Sequence, residues 1–512
     1  MSDDPVSNDP APAAPAAADA ELLPPRPGIE YLRHQVEGIR WMLAREAVDA
    51  EVCRGGILGD DMGLGKTFQT IGLLRNSPFR AFRTLLVCPP ALVAGWVAEL
   101  TACGYEVAQI AAGSPVWTAV SDEAVAEGRC VWLTTYPKMC LYARFLATTA
   151  WGRVVLDEGH AIRNGKETTR WLRAMAVAKC ASCRWILSAT PVQNGYTDWR
   201  NLCWWLRVRC GGSRIPDLGP VLMLRRTMAE LRADIEALPP APRYVFHDLS
   251  IPTGSKEGEL FQVLCNNLQN AMDDRAVGAL MVLELYMRIQ QFLVHPQIYV
   301  EGMRAKFRGA YPRPDWSGGA TKWGAVMAEL EDAVRSCVPT IVFCQFAAEM
   351  DRVCAEAERM GGRVFCIRGG MGVEKVGAAV EDSRTAALAG EPVVVVVQIV
   401  AGGAGLNLQF CQRVLFMSQH WNPAVVHQAV GRAVRIGQRA VVDIHFFRVV
   451  DDVMMNLDRR VIAVHLRKIS GAKEICESLY EGYAPIKGAD AFVWSGAAGA
   501  GADEGEGATD PV

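Results

Sequence analysis

Two parallel α/β lobes joined by a helical bridge, with disordered stretches at both ends, form the fold class that this 512-residue chain predicts. Short, continuous apolar runs recur in two blocks, Gly56 to Leu187 and Thr340 to Phe447, with helical or polar stretches between them. Continuous rather than alternating runs belong to parallel sheets covered on both faces. Between the blocks, helical patterns run from Val221 to Leu238 and from Gly258 to Gln291 with no clear strand. Only the first block carries a glycine-rich phosphate loop, so the two sheets are not repeats of one another.

Taken in order, residues 1–28 hold seven prolines, seven alanines and five acidic residues and cannot bury enough surface to fold. From Ile29 to Ala47, Tyr31, Leu32, Val36, Ile39, Met42 and Leu43 fall on one helical face. The strand Gly56-Ile57-Leu58 then leads into Gly59-Asp60-Asp61-Met62-Gly63-Leu64-Gly65-Lys66-Thr67 and a helix over Phe68–Leu74. Further strands are expected at Thr84–Cys88, Cys130–Thr134, Arg153–Leu156 and Arg184–Leu187. In the second block they are expected at Thr340–Cys344, Arg363–Ile367, Val393–Gln398, Arg413–Met417 and Val441–Phe447. The boundaries that follow are a disordered leader over 1–28, a first lobe over 29–220, a bridge over 221–320, a second lobe over 321–487 and a Gly/Ala-rich acidic tail over 488–512.

A formal net charge of -3 excludes a global attraction to nucleic acid, so any polyanion site must be a local groove. No apolar run reaches the roughly 18 residues of a membrane span, and the acidic, proline-rich start is no secretory signal. With sixteen cysteines mostly set singly in apolar runs, a reducing compartment, nucleus or cytoplasm, is expected. Cys180 and Cys183 have zinc-knuckle spacing, but Cys203 and Cys210 make an unconvincing second pair, so these read as buried thiols. Arg304, Lys306, Arg308 and Arg313 form a candidate basic patch.

The loop at 59–67 carries the chemistry. Glycines at 63 and 65 let backbone N–H groups turn around phosphate oxygens, Lys66 can reach the β/γ-phosphates, and the Thr67 hydroxyl can ligate Mg²⁺. Asp60 stands where the strict pattern wants glycine. Val154-Val155-Leu156 delivers Asp157 and Glu158 to a strand's C-terminal edge, where α/β folds bind ligands. One acid can hold Mg²⁺ through water while the other orients and deprotonates the attacking water. Ser188-Ala189-Thr190-Pro191, followed by Val192-Gln193-Asn194, offers small hydroxyls for relaying hydrogen bonds. In the second block, Arg432 and Arg435 are three apart on an expected helix face and suit the transition-state charge on a γ-phosphate.

The order and spacing of these segments resemble the Swi/Snf family of helicase-like ATPases, within helicase superfamily two, over roughly residues 30–485. Leu32-Arg33-His34-Gln35 looks like the adenine-reading glutamine motif, and Asp60 to Thr67 like motif I. Cys88-Pro89-Pro90 with Gly95-Trp96 is similar to motif Ia, Thr134-Thr135-Tyr136 to motif Ib, and Asp157-Glu158-Gly159-His160 with Arg163-Asn164 to motif II. Leu187 to Asn194 resembles motif III, Ile341 to Phe346 motif IV, Gln398 to Leu408 motif V, and Gln428 to Gln438 motif VI. Leu224-Arg225-Arg226-Thr227 and His295-Pro296 look like signatures outside the shared core, and Trp421-Asn422-Pro423 is a segment that a helicase of another branch would lack. Val434 replaces the family's usual histidine, and Gln398 a common Ser or Thr.

The resemblance implies two RecA-like lobes with ATP and Mg²⁺ between them. Gln35, Asp60, Asp61, Met62, Gly63, Leu64, Gly65, Lys66, Thr67, Gly403, Arg432 and Arg435 would contact the nucleotide; Lys66, Asp157, Glu158, Arg432 and Arg435 would be catalytic; Thr67 and Asp157 would hold the metal. Double-stranded DNA would be contacted without regard to sequence through Pro89, Thr134, Arg163, Asn164, Trp421 and Gln428. Movement along duplex and displacement of nucleosomes or other DNA-bound proteins are expected, in transcription, repair, chromatin or viral genome processing. The alternatives are a strand-separating DNA or RNA helicase and a catalytically silent scaffold. The Asp-Glu-Gly-His form is similar to a subgroup of repair translocases and helicase-like transcription factors that often inserts a RING domain. Residues 240–320 hold only Cys265, so ubiquitin-ligase activity is not implied.

Overall fold

The computed structural model describes residues 21–48, 54–79, 83–111, 113–179, 181–193, 195–208, 221–274, 276–402, 406–418, 420–451, 458 and 461. The chain builds two sheets in which every strand pair is parallel. The first contains β1 (Gly55–Leu58), β2 (Thr84–Cys88), β3 (Glu106–Gln109), β4 (Cys130–Thr135), β5 (Arg153–Asp157), β6 (Cys183–Leu187) and β7 (Met223–Leu224), in the order β3-β4-β2-β5-β6-β1-β7. The second contains β8 (Arg243–Leu249), β9 (Thr340–Cys344), β10 (Arg363–Ile367), β11 (Val393–Gln398), β12 (Arg413–Phe416) and β13 (Asp443–Val449), in the order β10-β11-β9-β12-β13-β8.

The continuous apolar runs behave as expected. All residues of β1, β2, β5, β6 and β9 are buried, and helices cover both faces of each sheet. The five valines of β11 lie between β10 and β9, with Val395 opposite Phe365 and Ile341. Burial of this kind contributes about 2 kcal/mol per large aliphatic side chain, before the entropy of ordering it.

A second anchor of the first lobe is polar. Glu46, on the helix Arg33–Ala47, accepts hydrogen bonds from Arg153 on β5 and from Trp185 Nε1 on β6 at 2.8 Å. Arg153 also reaches Thr84 Oγ1 at 3.0 Å and Ser77 Oγ at 3.1 Å, so the buried ion pair is met by further hydrogen bonds.

Several expectations need correction. Residues 221–320 are not wholly helical. Among the described residues, the stretch Val221–Leu238 holds helical residues at Val221 and Leu222, then β7 and a short helix, Met228–Leu231. Further on, β8 completes the second sheet by pairing with β13, about two hundred residues away. Its charged and histidine positions and its half-exposed edge location hide the apolar run that marks central strands. The helical part proper comprises Lys256–Asp273, Ala279–Val294 and Pro296–Lys306. The short strand β3 was also unmarked by any apolar run. Residues 21–28, placed in the disordered leader, lie against the first lobe: Leu23 N donates to Asn76 Oδ1 at 2.7 Å, and Pro25 is buried. The tail at 488–512 lies outside the described residues.

The basic patch is partly neutralised, because Arg304 pairs with Asp315 at 2.6 Å and Lys306 with Glu284 at 2.6 Å. Cys183, Cys203 and Cys265 are buried thiols, whereas Cys180 and Cys210 lie outside the described residues. Among the described residues no helix is long and apolar enough to cross a membrane.

Candidate nucleotide site between the lobes

The loop after β1 turns through two left-handed glycines, Gly63 at φ +82° and Gly65 at φ +78°. Side chains are excluded there by space as well as by conformation. A Cβ on Gly65 would lie 2.4 Å from Gln35 Nε2, and one on Gly63 2.8 Å from the Cβ of Arg435. Lys66 begins the helix Lys66–Asn76, and its ammonium donates to the carbonyls of Asp60 at 2.6 Å and Asp61 at 3.0 Å. Burial pushes its pKa down, against the pull of Glu158, Asp60, Asp61 and Asp157. Gln35 rests on the same loop, with Nε2 3.3 Å from Leu64 O and Oε1 accepting from Leu32 N.

Asp60, the departure from the strict glycine pattern, has a structural reason. It is fully buried, and its carboxylate accepts from Arg226 (Nη2–Oδ2 2.6 Å, Nε–Oδ1 3.1 Å) and from Gln69 Nε2 at 2.9 Å. Arg225 bonds the carbonyls of Gly59 and Ala189, each at 2.8 Å, and Asp61 Oδ1 at 3.2 Å. The Leu224-Arg225-Arg226-Thr227 segment thus clamps the loop from below. Sequence reasoning singled out that segment but gave it no role.

Asp157 closes β5 and is buried. Its Oδ2 accepts from Trp96 Nε1 at 2.7 Å, and its Oδ1 accepts from the backbone N of Glu158 at 2.9 Å. Burial, helped by the neighbouring Glu158 charge, pushes its pKa up to about 6. Glu158 has φ +50°, a left-handed conformation uncommon for a residue with a side chain and concentrated at functional sites. Burial raises its pKa, but His160, Lys66 and Arg432 outweigh that and hold it low, so it is ionised. His160 Nδ1 lies 3.3 Å from Glu158 Oε2 and 3.2 Å from Ser188 Oγ, linking the acids to the segment after β6.

The second lobe reaches the same place. The helix Pro423–Val430, capped by Asn422, ends before the two arginines, so Arg432 and Arg435 lie on the turn that follows rather than on the helix face expected. That turn sits directly on the phosphate loop: a Cβ on Gly431 would meet Met62 at 2.9 Å, as one on Gly63 would meet Arg435. Arg432 is buried, which lowers its pKa to about 10 against the attraction of Glu158 and Asp157. Leu64, from the loop itself, is packed into the apolar cluster of the second lobe with Val426, Val430 and Ala433. Gly403 lies outside the described residues.

The description "SNF2-related domain" matches residues 34–214, and "Helicase conserved C-terminal domain" matches residues 322–437. The chain belongs to the SNF2-related helicase-like family. It is 28% identical over 493 residues to a probable global transactivator of Orgyia pseudotsugata multicapsid polyhedrosis virus, covering 89% of this chain and 93% of that protein. It is 26% identical over 454 residues to a chromodomain-helicase-DNA-binding protein 1-like of Danio rerio, covering 80% of this chain. This chain spans 41% of the fish protein's length. The solved Sulfolobus solfataricus SWI2/SNF2 ATPase core in complex with dsDNA is 20% identical, with a TM-score of 0.38, covering 93% of this chain and 98% of that one.

In this SNF2-related chain the candidate DNA-side residues are more scattered than the nucleotide-side ones. Pro89 starts the turn after β2, and Thr134 sits in β4 with its hydroxyl buried and without a hydrogen bond. Thr134, Thr135, Pro90, Lys138 and Gln109 line a cavity of about 570 Å³ that Glu374 of the second lobe also touches. Arg163 donates to His160 O at 3.0 Å and faces Asp198 at 3.8 Å, while Asn164 is exposed. On the second lobe Trp421 packs edge-on against Tyr286 at 5.3 Å, and Gln428 is buried. A contact that sequence reasoning missed ties the lobes together: Asn422 Nδ2 donates to Gln193 Oε1 at 2.8 Å. The Trp-Asn-Pro and Thr-Pro-Val-Gln segments were both quoted, but nothing in either names the other as its partner.

Proposed function

We propose that this SNF2-related protein is an ATP-driven translocase on double-stranded DNA, which displaces or remodels DNA-bound proteins, nucleosomes among them. The observation that carries the reading is the convergence of Lys66, Asp157 and Glu158 from one lobe with Arg432 and Arg435 from the other. Glu158 lies in the electrostatic field of both Lys66 and Arg432, which only a site shared between lobes brings about.

The residues present fit a magnesium nucleotide. The left-handed glycines turn N–H groups inward as an anion cradle, and the buried carboxylate of Asp157 stands at the end of β5, one strand removed from β1. Bound there, Mg²⁺ would neutralise phosphate charge, held by Thr67 and Asp157. Lys66 would exchange the carbonyls of Asp60 and Asp61 for phosphate oxygens. Glu158, ionised and held beside His160, would orient and deprotonate the attacking water. The guanidiniums of Arg432 and Arg435 would meet the transition-state charge. Because they come from the second lobe, nucleotide would bind the closed arrangement more tightly than an open one, and that difference moves the lobes. Contacts from Thr134, Arg163 and Asn164 to phosphates would grip the duplex without reading its sequence.

The test is ATP hydrolysis by the full chain alone, with duplex DNA, and with RNA, paired with a strand-separation assay. Duplex-stimulated turnover that Glu158→Gln abolishes, with no strand release, is expected. Preference for RNA, or release of a free strand, would overturn the translocase reading, and silence under all conditions would leave a binding scaffold.

A further inference from the structure

At the edge of the second sheet three side chains converge that the nucleotide chemistry does not use. His247 on β8 and His445 on β13 lie on one face of the sheet, because His445 is in register with Val245 and His247 with Phe447. Their rings are nearly parallel, 16° apart, and His247 Nε2 is 2.9 Å from His445 Nδ1. Glu329, on the helix Thr321–Arg335 that packs over these strands, sets Oε1 3.9 Å from His247 Nε2 and Oε2 3.6 Å from His445 Nδ1.

The single proton between the two imidazoles leaves the carboxylate out, since both of its oxygens stand beyond hydrogen-bond reach of the rings. A cation in the middle would satisfy all three at once. Zinc bound by nitrogen and oxygen at about 2.0–2.2 Å with tetrahedral angles holds its ligand atoms roughly 3.3–3.5 Å apart. Here the two ring nitrogens are 2.9 Å apart, each carboxylate oxygen faces one ring, at 3.6 and 3.9 Å, and one ligand atom from each residue lies within 4.8 Å of the others.

Among the described residues the Glu329 carboxylate has one cationic neighbour, Arg413, whose hydrogen bonds go to other acceptors. Arg413 directs Nη1 to Asp332 Oδ2 at 2.9 Å and to Glu329 O at 3.1 Å, and is 3.8 Å from Glu329 Oε2. Arg243 is bound to Asp443. Side-chain exposures of 22% for His247 and 29% for Glu329 leave one side open to a water as fourth ligand.

We infer that His247, Glu329 and His445 form a binding site for a divalent transition metal of the zinc class, separate from the Mg²⁺ that would accompany nucleotide. Two imidazoles with one carboxylate suit Zn²⁺ rather than Mg²⁺ or Ca²⁺, which prefer all-oxygen shells. The site would staple β8, the first strand the chain lays down in the second sheet, to the helix Thr321–Arg335. An edge strand otherwise held on one side by β13 and the ion pairs Arg243–Asp443 and Arg448–Asp248 would gain a cross-link to the layer above.

Equilibrium dialysis of the chelator-stripped full chain against ZnCl₂, without nucleotide or Mg²⁺, tests the site. His247→Gln and Glu329→Gln are each expected to lose one equivalent of zinc, or to bind it at least about tenfold more weakly, the lower end of what losing a mere supporting contact costs a metal site. Cobalt substituted for zinc should give the visible spectrum of a tetrahedral nitrogen/oxygen site in the wild-type chain, and both variants should lose it. That signature separates the site from binding to the sixteen cysteines. Both variants sit at half-exposed positions, and either suffices if the other does not fold. Equal zinc stoichiometry, affinity and cobalt spectra in wild type and a folded variant would overturn the assignment, as would a wild-type chain that takes up no zinc.

Discussion

Both lobes rest on an all-parallel sheet, yet they meet the nucleotide cleft with different kinds of group. The first lobe presents a fixed cradle with the side chains of Lys66, Asp157 and Glu158 beside it: a loop held by two left-handed glycines and clamped through Asp60 and Asp61 by Arg226 and Arg225. The second presents side chains, the guanidiniums of Arg432 and Arg435, on a turn beyond a short helix. A rigid cradle suits holding a phosphate chain in any state, whereas guanidiniums delivered from another body act only when that body is near. The first lobe should therefore hold the nucleotide and its hydrolytic acids, and the second should make turnover depend on closure.

The sharpest way to break this comparison is Arg432→Ala. It should lower the ATP turnover rate by about 10³–10⁵-fold, the range seen when an arginine finger is removed, and weaken nucleotide binding only by the preference for the closed arrangement that this guanidinium supplies. Lys66→Ala should instead abolish nucleotide binding, measured by fluorescent-nucleotide titration. The opposite pattern would invert the division of labour.

Stability offers a second contrast, since the first lobe is pinned by the buried Glu46–Arg153 pair. Glu46→Ala leaves Arg153 buried without its carboxylate and should cost about 3–5 kcal/mol in denaturant unfolding. Amide exchange should loosen across the first sheet and remain unchanged in the second.

The acid limb of kcat/KM for ATP sharpens the comparison further. With Asp157 pushed up to about 6, the carboxyl gains its proton as pH falls through that value. Rates should fall about tenfold per pH unit below it and be level above it, because the free enzyme's essential groups govern this parameter. A profile level down to pH 5 would remove Asp157 from the chemistry. The smallest effect belongs to the bond between lobes: Asn422→Ala loses one neutral hydrogen bond to Gln193, about 1 kcal/mol, which disfavours closure and should appear as a several-fold weaker apparent ATP affinity.

Much of this was legible in the residues. Gly63, Gly65 and Lys66 announce their loop because only glycine tolerates those backbone angles, and Val154 to Glu158 announces a buried strand ending in acids. The second lobe was harder. Motif spacing named Arg432 and Arg435, but helical periodicity carried past Val430 the helix that in fact stops there. β8 was invisible because an edge strand needs no continuous apolar run, and its partner lies about two hundred residues downstream.

Local sequence by itself determined the phosphate loop, the central strands and the residue types at the cleft, since backbone angle preference and two-faced burial act over a few neighbouring positions. Tertiary structure alone decided that Asp60 is held by Arg226, that Arg435 packs on Gly63, and that His247, Glu329 and His445 meet. Each of these joins segments separated by eighty to nearly four hundred residues, and only the packing of whole elements brings such groups within a few ångströms.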